Sequence, residues 1–133
     1  MATITEDYVS FETAKLLKEK GFDGFCERFY NYYPETGEVH ICGCDEHNNS
    51  RYDNEFSMPI QQMAIKWLKE VYGLHISLEP CYDYDLMRVV FLAFVRNVAD
   101  VHKFMDGRKN VASHPNPEKS YELAIKYCLE NLI

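Results

Sequence analysis

The sequence predicts an α+β fold: an antiparallel sheet of two hairpins with about three helices, in the order helix, hairpin, helix, hairpin, helix. Three observations carry this. Residues 60–71 repeat apolar side chains at helical spacing without a miss. Residues 26–44 hold two aromatic or β-branched runs around Pro34-Glu35-Thr36-Gly37, as a hairpin does. The end of the chain, through Tyr121, Ile125, Cys128, Leu132 and Ile133, carries a further apolar stripe.

Taken in order, Ser10 is placed to cap a first helix running to about Lys20. Its inner face is Phe11, Ala14 and Leu17, Gly21 ends it, and Phe22 folds back. Strands follow at Cys26–Tyr33 and Glu38–Cys44. If Tyr33 faces Glu38, then Tyr32 faces Val39 and Tyr30 faces Ile41, and these last four share one face. Phe29, Asn31, His40 and Cys42 share the other. Asp45 to Phe56, rich in Asn, Asp and Ser, reads as a loop.

The second helix presents Ile60, Met63, Ala64, Trp67, Leu68 and Val71, with Pro59 in its first turn and Gly73 at its exit. Trp67, central on that face, is expected in the core. Leu74 to Glu79 alternates as a half-buried strand, and Pro80 weakens or bulges it. Leu86 to Val98 favours a strand by its Val and Phe content, though its length also allows a helix capped by Asp83 or Asp85. Residues 99–116 look irregular. In the last helix, Leu132 and Ile133 are expected to pack, so that the folded domain closes at Ile133.

The 133 residues suffice for one compact domain over 1–133 with an ordinary core. A hydrophobic share of 47% with 26% charged residues is a globular balance. The net charge of −7 disfavours nonspecific binding to nucleic acid, because phosphates are repelled. No segment is long and apolar enough to span a bilayer, and the start MATITEDYVSF lacks a signal-peptide run. With five cysteines, an odd number, the expectation is a cytoplasmic protein with reduced thiols. Lys15-Leu16-Leu17-Lys18-Glu19 and Lys66-Trp67-Leu68-Lys69-Glu70 are alike, each preceding a Gly and an apolar residue. A duplicated helix-plus-hairpin unit would explain this, but amphipathic helices reuse the same letters, and that is the simpler explanation.

Three stretches together resemble a known family. They are Asp7 to Phe22, with its Phe11-Glu12-Thr13-Ala14-Lys15-Leu16-Leu17 core, Gln62 to Val71, and Ser120-Tyr121-Glu122 with Ala124 to Ile133. The family comprises small uncharacterised proteins encoded in gut Bacteroidales genomes and in their phages or mobile elements. The resemblance covers under half the chain. It implies an α+β domain and a phage or prophage context, and it implies no activity. The matching residues are helix faces, so they carry over as scaffold.

Four constellations could carry chemistry or contact. His40, Cys42, Cys44 and His47 offer two thiolates and two imidazoles, a donor set that suits tetrahedral zinc. Their spacing opposes it, since adjacent same-face positions on a strand lie roughly 6–7 Å apart. A Cys/His nucleophile could use Cys26, Cys42, Cys44, Cys81 or Cys128, but no elbow or oxyanion motif accompanies any of them. The carboxylate pairs Asp83/Asp85 and Asp53/Glu55 lack the offsets of a calcium loop. Finally, Tyr30, Tyr32, Tyr33, Tyr82 and Tyr84 suit a protein-binding patch or a homodimer face better than base stacking. Only Arg28 and Arg51 lie near them to help hold a nucleic acid. No cofactor is expected. The leading expectation is a non-enzymatic interaction or accessory protein with an unidentified protein partner; the alternative is a small zinc-binding protein.

Overall fold

In the computed structural model, residues 7–50 and 52–133 are described. Residues 1–6, which open the MATITEDYVSF stretch, and Arg51 lie outside them. The chain divides into two compact units, Met1–Gln61 and Gln62–Ile133. The elements are α1 (Phe11–Glu19), β1 (Cys26–Tyr33), β2 (Glu38–His47), β3 (Glu55–Ser57), α2 (Gln61–Tyr72), β4 (Leu74–Asp83), β5 (Arg88–Asn97), α3 (Val101–Met105), β6 (Lys109–His114) and α4 (Pro117–Asn131). The fold is α+β, as expected, but among the described residues the strands form two three-stranded antiparallel sheets and there are four helices.

In the first unit the sheet order is β2-β1-β3. Ser10 caps α1 by accepting from the Thr13 N–H at 3.3 Å. At its other end the Phe22 N–H donates to the Leu17 carbonyl and the Gly21 N–H to that of Lys18, which closes the last turn. The expected hairpin register holds: Tyr33 pairs with Glu38, Tyr32 with Val39 and Tyr30 with Ile41. Phe11 of α1 meets Tyr30, Tyr32 and Phe56 at ring distances of 5.6, 6.0 and 5.4 Å, so α1 covers the β1 and β3 part of that face. β2 runs on to His47, and Glu55–Ser57 forms β3, both inside the stretch read as loop. β3 has only three residues and exists through its pairing with β1, a partner that local pattern does not reveal.

In the second unit the order is β4-β5-β6. Leu86 to Val98 resolves as a strand over Arg88–Asn97, and residues 99–116 hold α3 and β6 rather than irregular chain. Arg96 fixes α3 by donating to the Phe104 carbonyl and stacking on its ring at 3.6 Å. Lys109, paired with Val95, bonds the Tyr127 hydroxyl of α4, so α4 lies on the Val95 face. Ile76 pairs with Val95 on that face and Leu78 with Ala93, while α4 contributes Ala124, Ile125, Cys128 and Leu129 to the core. On the other face Arg108 grips Glu79 and lies over Phe94. At Gly73 a side chain would come within 2.4 Å of the Ala99 Cβ, so only glycine fits there.

Two packing expectations are corrected. The buried positions of α2 are Gln61, Ala64, Ile65 and Leu68, while Met63 and Val71 are exposed and Trp67 is half-buried with its edge on Tyr72. The buried stripe is thus rotated from the expected one: Ile65 packs inward and Trp67 lies at its margin. On α4 the stripe ends at Leu129; Leu132 is 41% exposed and Ile133 half-buried. Leu132 is the C-cap of α4, its N–H donating to the Cys128 carbonyl, and at that last turn the apolar side chain is no longer covered.

Candidate functional site

The four residues of the zinc constellation do not share one environment. His40 is exposed and pairs with Glu38 at 3.1 Å. Cys42 and Cys44 are half-buried on β2. His47 is fully buried. A register shift between Cys26 and Arg28 sets His47 opposite Cys26 and delivers its ring to the interior of the unit. There its Nδ1 meets the Ser57 Oγ at 2.8 Å, its Nε2 meets Glu55 Oε1 at 3.0 Å, and Phe29 stacks on it at 4.3 Å. A metal at His47 would have to displace one of those two partners. Among the described residues no three His, Cys, Asp or Glu side chains converge as metal ligands do.

This buried polar group is a structural lock. Ser57 also donates its N–H to Asn49 Oδ1 at 2.7 Å, and Asn49 Nδ2 bonds the Phe22 carbonyl at 3.1 Å. Ser57 is as fully enclosed as His47, so a hydroxyl–imidazole–carboxylate chain that resembles a hydrolase relay has no face open to a substrate. Every buried side-chain nitrogen and oxygen among the described residues has a partner, as a stable polar interior requires. Burial pushes the Cys26 thiol up to about 11 and the Cys128 thiol up to about 12, so both stay protonated at neutral pH and are poor nucleophiles. All five cysteines are free.

The tyrosines separate by element. Tyr30 is buried and donates its hydroxyl to the Val9 carbonyl at 2.6 Å, and Tyr32 is half-covered by Phe11. Both are packing residues and neither is available to a partner. Tyr33 is exposed, accepts from Asn31 at 3.2 Å and meets His40 edge-on at 5.0 Å. Tyr82 and Tyr84 are exposed and meet each other edge-on at 5.0 Å.

Around Tyr82 and Tyr84 the β4–β5 hairpin gathers a surface that sequence reasoning only half found. Tyr84 is 79% and Met87 71% exposed, and Tyr82, Leu86 and Val89 are exposed beside them. Tyr82 and Val89 are cross-strand partners and prolong the sheet face on which α4 packs. Asp83 fixes the turn by accepting the N–H groups of Asp85 and Leu86 at 2.9 and 3.1 Å. Met87 has φ +53°, a left-handed backbone that costs a side-chain-bearing residue free energy. The overlooked signal was Asp83 as a turn-former, because it splits Leu86 and Met87 from the strand that follows.

Compared with protein-family models, with curated proteins and with solved structures, the chain matches none. Among the described residues no helix is long and apolar enough to cross a membrane.

Proposed function

We propose that this protein acts by binding another protein, with the end of the β4–β5 hairpin as its contact, and performs no chemistry of its own. The observation that carries this is the set of five exposed apolar side chains, Tyr82, Tyr84, Leu86, Met87 and Val89, on one hairpin end. Aromatic and methionine side chains bared together are the composition of an interface centre rather than of ordinary surface. The end is also preorganised, by the Asp83 turn, the Tyr82–Tyr84 contact and a 3.9 Å approach of the Tyr82 hydroxyl to the Met87 sulfur. Little ordering entropy remains to be lost on binding. A partner presenting an apolar groove fits it. The family resemblance supports an accessory role in a phage or mobile element, and five free thiols support a cytoplasmic location.

A photo-crosslinking residue at position 84, used in the cells that make the protein, tests this. A discrete protein adduct is expected, and it should disappear in a Tyr82→Ser/Leu86→Ser variant whose melting temperature is unchanged. Equal adduct yield from that variant would sink the proposal.

A further inference from the structure

A sheet edge exposes unpaired N–H and C=O groups, and soluble proteins usually blunt it. Four strands end the two sheets here: β2 and β3 in one, β4 and β6 in the other. β3 is three residues long. β4 carries Pro80 within it, and β6 is short and begins with Lys109. β2 is different. It is ten residues long, and its stretch Val39-His40-Ile41-Cys42-Gly43-Cys44 holds no proline, lysine, arginine or carboxylate. Ile41 is 60% exposed, and Val39 is bare beside it. Both lie on the face that Tyr30 and Tyr32 present to α1, yet α1 covers only the tyrosines.

We propose that β2 is where two copies of this chain join, strand against strand and antiparallel, into one sheet running through both. The charges select the occupant and the register. Glu38 on one side and Asp45 and Glu46 on the other frame the neutral stretch. Pairing about Ile41 sets Ile41 beside Ile41, Val39 opposite Gly43, His40 opposite Cys42 and Glu38 opposite Cys44, with no acid facing an acid. Moving one residue along sets Glu38 against Asp45, moving two sets it against Glu46, and moving the other way by one or two brings Glu35 of the turn against Glu46 or Asp45, each of which like-charge repulsion disfavours. The Ile41 pair would then continue the apolar face of Tyr30 and Tyr32. The contact is isologous and closes at two copies. Its small area predicts a micromolar dimer.

Sedimentation of the full chain under reducing conditions, from micromolar to millimolar concentration, tests this. A monomer–dimer equilibrium with no larger species is expected. Ile41→Lys should weaken it by about tenfold or more, since two ammonium groups would meet across the axis, without changing the melting temperature at concentrations where both proteins are monomeric. Tyr82→Ser/Leu86→Ser should leave it intact. In a mixture of isotope-labelled and unlabelled chains, the Ile41 side chain should show contacts to Ile41 and Val39 of the other copy. A monomer at every concentration, open-ended assembly, a dimer indifferent to Ile41→Lys, one lost with the hairpin-end variant, or a dimer without those contacts would each overturn the inference.

Discussion

Met87 and Gly37 hold the same place in two hairpins. Each is the last residue of its turn, directly before the second strand, and each has positive φ, +53° for Met87 and +74° for Gly37. Glycine takes that conformation freely and methionine does not. Met87→Gly should therefore stabilise the protein by about 0.5–1 kcal/mol, the left-handed cost less glycine's greater entropy loss. Chemical denaturation of the variant checks this. The same variant should bind the partner more weakly, because it deletes a side chain of the proposed contact. Gly37→Ala should destabilise by about 1 kcal/mol.

Lys18 ties α1 to the segment before β3. Its ammonium donates to the carbonyls of Tyr52, Asp53 and Glu55 at 2.6, 3.3 and 2.8 Å and lies 4.8 Å from the Phe56 ring centre. Burial lowers its pKa, against the opposing pull of Asp53 and Glu55. Lys18→Met keeps the stem and removes all three bonds, so it should cost about 1–2 kcal/mol, allowing for the partly exposed setting. Amide exchange at residues 52–57 should quicken more than at β6. Uniform quickening would show that the lysine holds nothing local.

Ser57→Ala should cost about 1–3 kcal/mol, because it leaves the His47 Nδ1 buried without its partner. His47→Ala should cost more, since it also opens a cavity beneath Phe29 and strands Glu55. Equilibrium unfolding in urea measures both. A near-neutral His47→Ala would mean that the ring is not enclosed as described.

Alkaline pH should weaken the fold through Cys128. Its pKa is raised from 9.0 to about 12 in the folded state, so the unfolded thiol loses its proton first. Its stabilising contribution is whole below pH 9.0 and declines as pH rises toward 12. Between about pH 9 and about pH 10 the wild type should lose about 1 kcal/mol more than Cys128→Ala does. Parallel pH profiles for the two proteins would contradict this.

On α4 the two ends of the apolar stripe should behave differently. Ile125→Ala empties a fully buried site and should cost about 2–5 kcal/mol. Leu132→Ala, at an exposed site, should stay within about 0.5 kcal/mol. Thermal melts of the two variants separate them clearly.

What the sequence determined by itself is what neighbours within a few residues decide. Ser10 caps α1 because the N–H it accepts is three residues away. The β1–β2 register follows from the turn at residues 34–37, since a turn of fixed length leaves one way to pair Tyr32 with Val39. The strand over Arg88–Asn97 followed from its own β-branched and aromatic content.

Only the tertiary structure decided the rest, because it depends on partners remote in sequence. β3 and β6 are too short to show a period and exist by pairing with β1 and β5. The rotation of α2 that buries Ile65 and leaves Trp67 at the margin depends on what surrounds the helix, and both residues suit an apolar face equally. The local sequence places His47 in a polar loop just after Cys42 and Cys44. The irregular register near Cys26 turned it inward, where Ser57 and Glu55, ten and eight residues on, satisfy both ring nitrogens. Tyr30 and Tyr84 are the same residue type in similar strand-like stretches; Phe11 and the Val9 carbonyl bury one, and the Asp83 turn bares the other. Burial is a property of the assembled surface, and the local pattern carries only half of it.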